Sequence, residues 1–220
     1  MTTGCWALVP IKARADCKSR LAGILPVATR ILLVRSLLAR SLAALRGSRS
    51  IAHIAVVTSE RDVLPASVRV IADLGGGLNA ALQGARDILV QEGASELVVL
   101  HADLPLVTVA DVDLLVERGR RTGFALATDG PGVGTNALYM ASPGLFRFHF
   151  GLDSRFHHFD EAVRLGLRPE IVRSTALEFD LDGPTDLERL RAIYREPFGL
   201  HALFATSEFG EAASLGCQAV

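Results

Sequence analysis

The 220-residue chain is predicted to form one α/β domain: a mostly parallel sheet with helices on both faces. Three observations carry that prediction. Short, wholly apolar runs of strand length alternate with longer stretches whose apolar residues recur every three or four positions. Such runs, flanked by helical patterns, read as strands buried on both faces and joined by right-handed crossovers. The length suits one domain with a sizeable core, and neither an internal repeat nor a low-complexity linker divides it.

Taken in order, Cys5 to Val9 is a short strand that ends at Pro10, and a basic loop follows it. Thr29 to Leu45 carries apolar residues at 31, 34, 38, 42 and 45 with arginines opposite, which predicts a helix. Ile54 to Val57 is the second strand, ending in Thr58-Ser59, and Val68 to Ile71 the third. A glycine-rich turn over 73–77 leads into a helix from Leu78 to Val90. Leu97 to Leu100 is a strand that Pro105 prevents from continuing, since proline has no N–H for a ladder. A helix over 108–120 follows, with Thr108 as a good N-cap. Phe124 to Ala127 and Ala137 to Met140 are further strands, separated by the turn-rich Asp129-Gly130-Pro131-Gly132. Leu177 to Leu181 reads as extended, and Pro184 opens a last helix running to Tyr194. The domain spans residues 1–196; residues 197–220 form a tail without a clear helical period.

Composition excludes several classes. Half the residues are hydrophobic, 21% are charged and the net charge is −1, so no global field recruits nucleic acid or an acidic membrane. The longest apolar stretch, around Ile31 to Leu45, is interrupted by Arg35 and Arg40, which argues against a membrane span. Cys5, Cys17 and Cys217 have neither CxxC spacing nor a nearby histidine for a zinc site. Their odd number and the absence of a secretory pattern at the N-terminus point to the cytoplasm.

The chemistry is expected at the carboxyl ends of the strands, where open α/β sheets bind ligands. Asp103, in His101-Ala102-Asp103-Leu104-Pro105, follows directly on the Leu97 strand. It either caps the next helix or holds a metal that carries phosphates. It stands five residues early for a cap, so the metal reading leads. The loop after the first strand carries Lys12, Arg14, Lys18 and Arg20, either a solvated basic face or a site for a triphosphate. Its position at a strand end favours the second. Asp180 and Asp182 fall on one face of an extended segment, and two distant carboxylates would suit Mg2+. Alternatively Asp182 or Thr185 caps the last helix, with Asp186 complementing its dipole. Gly75-Gly76-Gly77-Leu78-Asn79-Ala80 matches a relaxed G-x-G-x-x-A pattern, but after the third strand rather than the first. It serves either as a tight turn or as bare backbone against a base or ribose. No GxxxxGK[ST] phosphate loop occurs.

One family shows these motifs in this order. Trp6-Ala7-Leu8-Val9-Pro10-Ile11-Lys12, Lys18-Ser19-Arg20-Leu21, Gly77-Leu78-Asn79-Ala80-Ala81-Leu82, Ala102-Asp103-Leu104-Pro105, Gly134-Thr135-Asn136-Ala137-Leu138, Phe150-Gly151 with Ser154, and Asp180-Leu181-Asp182 before Pro184 follow one another. Together they resemble the guanylyltransferases of coenzyme F-420 biosynthesis, relatives of the molybdopterin-guanylyltransferase-like nucleotidyltransferases. The resemblance covers about residues 5–195 and implies a GT-A-like nucleotidyltransferase fold. It implies GTP and Mg2+ as requirements and a phosphorylated three-carbon acid as acceptor: 2-phospho-L-lactate, phosphoenolpyruvate or 3-phospho-D-glycerate. The Ala- and Arg-rich composition suggests a bacterial chain and favours the latter two.

Carried over by position, the resemblance gives Asp103 and Asp182 to the metal. It sets Lys12, Lys18 and Arg20 against the triphosphate, with Lys12, Lys18 and Asp103 as the catalytic set. Thr58, Gly77 and Asn79 are expected to bind the nucleotide as well, Asn79 and the Gly77 backbone near the nucleoside. Thr135, Gly151 and Ser154 match acceptor-binding positions, and His158 either pairs with the acceptor's charge or is a packed helix residue. Two departures stand out. Gly183 replaces a common threonine beside Asp182, and Arg155 intervenes after Ser154, where it could add an anion contact. A homodimer would suit the apolar lean. Two other readings compete: a GTP-binding regulatory module without turnover, and a cytidylyl- or molybdopterin-guanylyltransferase of the same superfold. The paired carboxylates and the region from Gly134 to Ser154 count against the first. The lack of a Gly-rich first loop counts against a molybdopterin enzyme.

Overall fold

The computed structural model describes residues 4–11, 18–59, 64–65 and 67–194. Lys12, Arg14, Cys17, Cys217 and the whole 197–220 tail lie outside the described residues. Seven strands among the described residues form one sheet: β1 (Gly4–Pro10), β2 (His53–Thr58), β3 (Arg69–Ala72), β4 (Ala94–Leu100), β5 (Gly123–Ala127), β6 (Ala137–Ala141) and β7 (Arg168–Ile171). Their spatial order is β3-β2-β1-β4-β6-β5-β7. All neighbours run parallel except β6, which is antiparallel to both β4 and β5. Five α-helices accompany them among the described residues: α1 (Val27–Gly47), α2 (Leu78–Gln91), α3 (Val109–Thr122), α4 (Ser154–Arg164) and α5 (Pro184–Tyr194). No helix among the described residues is long and apolar enough to cross a membrane.

Burial on both faces explains why the strand runs are continuously apolar. On β1, Cys5, Ala7 and Val9 join a core that includes Leu38 and Leu42 of α1 and Val112 and Leu115 of α3. Trp6 and Leu8 join the opposite core, with Leu82 and Leu89 of α2 and Ala162 of α4. Successive residues thus face opposite helix layers, as the two-residue strand period requires. Thr108 caps α3 in a reciprocal box with Asp111, and its hydroxyl accepts from the Asp111 N–H. That cap relieves Asp103 of any such role.

A third, smaller core builds the site. Leu21, Leu33, Leu37, Phe179, Leu181, Leu187 and Leu190 cluster where α5 meets the amino-terminal half of α1. Phe179 and Leu181 are buried, so the intervening Asp180 and the following Asp182 are presented beside them. The stretch predicted as extended over 177–181 is not a strand. It is stitched by single contacts instead: the Leu181 N–H donates to the Asp103 carbonyl at 3.0 Å, and the Leu177 carbonyl accepts from the Asn136 amide. The Leu181 bond brings the two acidic segments together. The strand β7 was not predicted because Arg168-Pro169-Glu170-Ile171 is a half-exposed edge, where proline and charge are tolerated.

Candidate active site

A cavity of about 750 Å³ opens at the carboxyl ends of β1, β2 and β4 and reaches the loops around Thr135 and Gly151. A pocket of this size fits a nucleotide-sized ligand. Its two chemically distinct parts are a charged centre and a polar wall.

The charged centre is a three-residue bridge. The Lys18 ammonium donates to Asp103 Oδ2 and to Asp182 Oδ1, each at 2.9 Å. Arg20 adds a longer contact to Asp182 Oδ2 at 3.4 Å, with its guanidinium largely exposed. Lys18 stands in the left-handed region (φ 46°, ψ 48°) just before the turn Ser19–Leu21, whose Leu21 is locked into the third core. Burial alone would push the Lys18 pKa down; the charges of Asp103 and Asp182 reverse this and hold it above the usual lysine value. Burial likewise opposes ionisation of Asp103. The Lys18 charge outweighs it, with help from His101, and keeps the carboxyl below its ordinary range.

The backbone that delivers Asp182 is pinned by Asp186, whose Oδ2 accepts from the N–H groups of Asp182 (3.0 Å) and Gly183 (2.8 Å). An acid in the first turn of α5 therefore orders the Asp182 segment even though Gly183 carries no hydroxyl. Asp180 responds in the direction opposite to Asp103: burial pushes its pKa up, and the charges of Asp103 and Asp182 push the same way against the Asn136 hydrogen bond.

These residues suit a divalent cation. Asp103 Oδ1 is buried and has no hydrogen-bond partner among the described residues, an oxygen left available to a ligand. Asp182 presents a second carboxylate to the same ammonium. No group of three or more metal-ligating side chains converges among the described residues. Two carboxylates completed by water and phosphate oxygens is the magnesium pattern.

The glycine turn lines the cavity through Gly77 and Leu78. Gly75, Gly76 and Gly77 have φ of 89°, 88° and 89°, a run of backbone that side chains rarely adopt. The Asp73 carboxylate accepts from the Gly75 N–H at 2.8 Å and starts the turn. Thr58 is buried in β2, with Val57 and Ser59 on either side reaching the cavity. Asn79, expected beside a nucleoside, is otherwise engaged. Its amide nitrogen donates to the Phe150 carbonyl at 2.9 Å and its oxygen accepts from the Phe150 N–H at 2.7 Å. Asn79 thus brackets the chain just before Gly151.

The polar wall is built from Thr135, Gly151 and Ser154, all on the cavity surface. Thr135 Oγ1 lies 3.1 Å from His158 Nδ1 and 3.3 Å from Ser154 Oγ. His158 is fully buried behind them, and its Nε2 accepts from the His149 N–H at 2.9 Å. Both ring nitrogens are engaged within the protein, so the expectation that His158 pairs with an acceptor's charge gives way to its packed-helix alternative. Arg155 likewise turns to the protein: it donates to the Gly132 carbonyl at 2.8 Å and lies over the Phe156 ring.

Two further cavity residues carry the wall without having been singled out from the sequence. Asp129 Oδ1 accepts from the N–H groups of Val133 (2.8 Å) and Gly134 (2.9 Å), which fixes the loop ahead of Thr135. Asn136 donates to Asp180 and to the Leu177 carbonyl, which joins the wall to the acidic segment. The turn signal at 129–132 pointed to the first; the second stands inside the motif Gly134 to Leu138, but no sequence signal assigned it a role.

Known proteins resemble this chain in sequence and in fold. The model of the CofC-like guanylyl transferase family matches residues 5–193. The chain is 39% identical over 192 residues to a phosphoenolpyruvate guanylyltransferase of Rubrobacter xylanophilus, covering 85% of this chain and 93% of that one. A protein of the same name from Chloroflexus aggregans is 39% identical over 191 residues, 83% of this chain and 93% of its own. Among solved structures, a putative nucleotide-diphospho-sugar transferase from Desulfovibrio desulfuricans superposes with a TM-score of 0.72 at 16% identity, covering 96% of both chains. A 4-diphosphocytidyl-2C-methyl-D-erythritol synthase does so with a TM-score of 0.62 at 14% identity, over 88% of this chain and 99% of that one. The expected nucleotidyltransferase fold is present, and the chain belongs to the CofC-like guanylyl transferase family.

Proposed function

We propose that this nucleotidyltransferase moves GMP from GTP onto the phosphate of phosphoenolpyruvate, releasing pyrophosphate, as a step of coenzyme F-420 biosynthesis. The observation that carries the reading is one cavity holding both halves a group transfer needs. The Lys18–Asp103–Asp182 bridge supplies an anion-handling centre, and Thr135, Gly151 and Ser154 supply a neutral polar wall. A nucleotide sensor would need only the first. The choice of phosphoenolpyruvate rests on the names of relatives 36–39% identical to this chain.

The chemistry follows from charge. An acceptor phosphate monoester has a second pKa near ~6 and is mostly a dianion at neutral pH. Its oxygen attacks the α-phosphorus in line, the bond from that phosphorus to the bridging oxygen of the β-phosphate breaks, and pyrophosphate leaves with the electron pair. No base need remove a proton, so the protein's task is to assemble several negative charges and hold them in line. Lys18 and Arg20 provide positive charge beside the triphosphate. Asp103 and Asp182 would hold the metal, which when bound neutralises charge on the triphosphate and its leaving group. The glycine turn lets the nucleoside lie against bare backbone, and Thr135, Ser154 and the Gly151 backbone orient the acid.

The test is pyrophosphate release from GTP with a divalent cation and phosphoenolpyruvate, 3-phospho-D-glycerate or 2-phospho-L-lactate in separate reactions, with mass spectrometry of the product. Turnover with phosphoenolpyruvate, giving its guanosine-diphosphate ester, is the expected result. Preference for another acid would overturn the acceptor assignment. GTP binding without turnover of any acid would replace the enzyme reading by a regulatory one, and preference for CTP would move the chain to a cytidylyl reading.

A further inference from the structure

The two hydroxyls of the polar wall have only two protons between them, and His158 decides how many are left for a ligand. The His149 backbone N–H can only donate, so the His158 Nε2 that receives it at 2.9 Å must be unprotonated. A neutral ring then carries its proton on Nδ1, which faces Thr135 Oγ1 at 3.1 Å. Thr135 accepts that proton, and one hydrogen bond joins Thr135 to Ser154. One hydroxyl proton is used between the pair and one remains for the cavity. With the opposite tautomer, Thr135 would donate to Nδ1 and Ser154 to Thr135, leaving none.

We propose that His158 is a positioning residue, held as the neutral Nδ1–H tautomer so that the Thr135–Ser154 pair keeps one hydroxyl proton for an anionic group of the acceptor acid. The inference deepens the proposed function and rests on its placing of the acid at this wall. His158 touches no substrate; it acts through Thr135. Its surroundings enforce the neutral form. The ring is fully buried, with Phe150 edge-on at 4.6 Å and Phe146 at 5.9 Å. A protonated Nε2 would point its hydrogen at the N–H of His149.

Long-range nitrogen–proton correlation spectra of the 15N-histidine-labelled protein read the tautomer directly, with the His158 signals identified by their loss in His158→Asn. The expected spectrum is a neutral Nδ1–H ring; an Nε2–H tautomer or an imidazolium at neutral pH would overturn the proposal. Two variants separate the two ring positions. His158→Asn keeps a donor where Nδ1 stands, and His158→Gln keeps an acceptor where Nε2 stands. With nothing at Nδ1, the Thr135–Ser154 pair of His158→Gln keeps its spare proton but loses the donor that orients it toward the cavity, and loss of one neutral hydrogen bond predicts a rise of about 5- to 10-fold in the KM for phosphoenolpyruvate. His158→Asn should stay within about threefold of wild type, and the KM for GTP should hold in both. Equal effects of the two variants on the acid, or a matching rise in the KM for GTP, would reduce His158 to a packing residue. Absence of wild-type turnover with any acid would refute the proposed function instead, and the spectrum still decides the tautomer.

Discussion

Acidification should expose His158 as a group that the folded protein refuses to protonate. Its pKa is lowered to about 3, first by burial and then by the neighbouring His149, His101 and His157, against a smaller opposing pull from Glu161. In the unfolded chain it returns to about 6.5. The unfolded state therefore takes the proton first. The contribution to stability is complete above the unfolded value, drains away as pH falls between the two values, and levels off below the folded one. Between about pH 7.5 and about pH 5 the unfolded ring goes from mostly neutral to almost wholly charged, a loss of about 2 kcal/mol at 1.36 kcal/mol per pH unit. Other groups titrate as well, so the informative quantity is the difference between wild type and His158→Asn, which lacks the titrating ring. Urea unfolding followed by the fluorescence of Trp6, the single tryptophan, would measure both at each pH. The stability gap should shift by about 2 kcal/mol in favour of the variant on acidification. A constant gap would mean that His158 takes up its proton equally in both states, which refutes a ring with both nitrogens engaged.

Three other outcomes follow from the site. Asp103→Asn should lower turnover by about a hundredfold or more while far-UV circular dichroism stays unchanged, since the change removes charge but little volume; near-normal activity would take Asp103 out of the centre. Lys18→Met should leave Asp103 and Asp182 facing each other without a cation, so Mn2+ binding without nucleotide, read by electron paramagnetic resonance, should strengthen while GTP binding weakens. Unchanged Mn2+ affinity would show that the ammonium does not occupy the cation's place. In Gly134→Ala the new Cβ would stand 2.6 Å from Asp129 Oδ2 and 2.9 Å from its Cγ, forcing the clamp off the loop. The expected cost is about 1–3 kcal/mol of stability, with a higher KM for the acid than for GTP; an unchanged KM for the acid would free the wall from dependence on Asp129.

The sequence made the charged centre legible because its members sit at strand ends and turns with local signals. Asp103 closes an apolar run, Lys18 lies in a basic loop and Asp182 precedes a proline-led helix. Their meeting at one ammonium was not readable, because it depends on the third core and on the bond from the Leu181 N–H to the Asp103 carbonyl. Asn79 shows the converse limit. The family resemblance implied a nucleoside contact for it, but the structure spends both ends of its amide on the Phe150 backbone. A primary amide matches a peptide group as well as it matches a base, and only the fold says which is near. His158 was open between ligand and packed residue for the same reason. The decisive partner is the N–H of His149, a backbone group with no signature in sequence. Among the elements, β7 was missed where edge exposure removes the apolar pattern, whereas the strands buried on both faces were found.

The central claim, that one cavity seats donor and acceptor on opposite chemical surfaces, is tested most directly by a crystal structure with Mn2+, phosphoenolpyruvate and a GTP analogue whose α–β bridging oxygen is replaced by methylene. The account predicts anomalous scattering from the metal between Asp103 and Asp182, with the acid on Thr135, Ser154 and the Gly151 backbone and its phosphate facing the α-phosphorus. Metal density away from both aspartates, or the acid bound elsewhere, would contradict it.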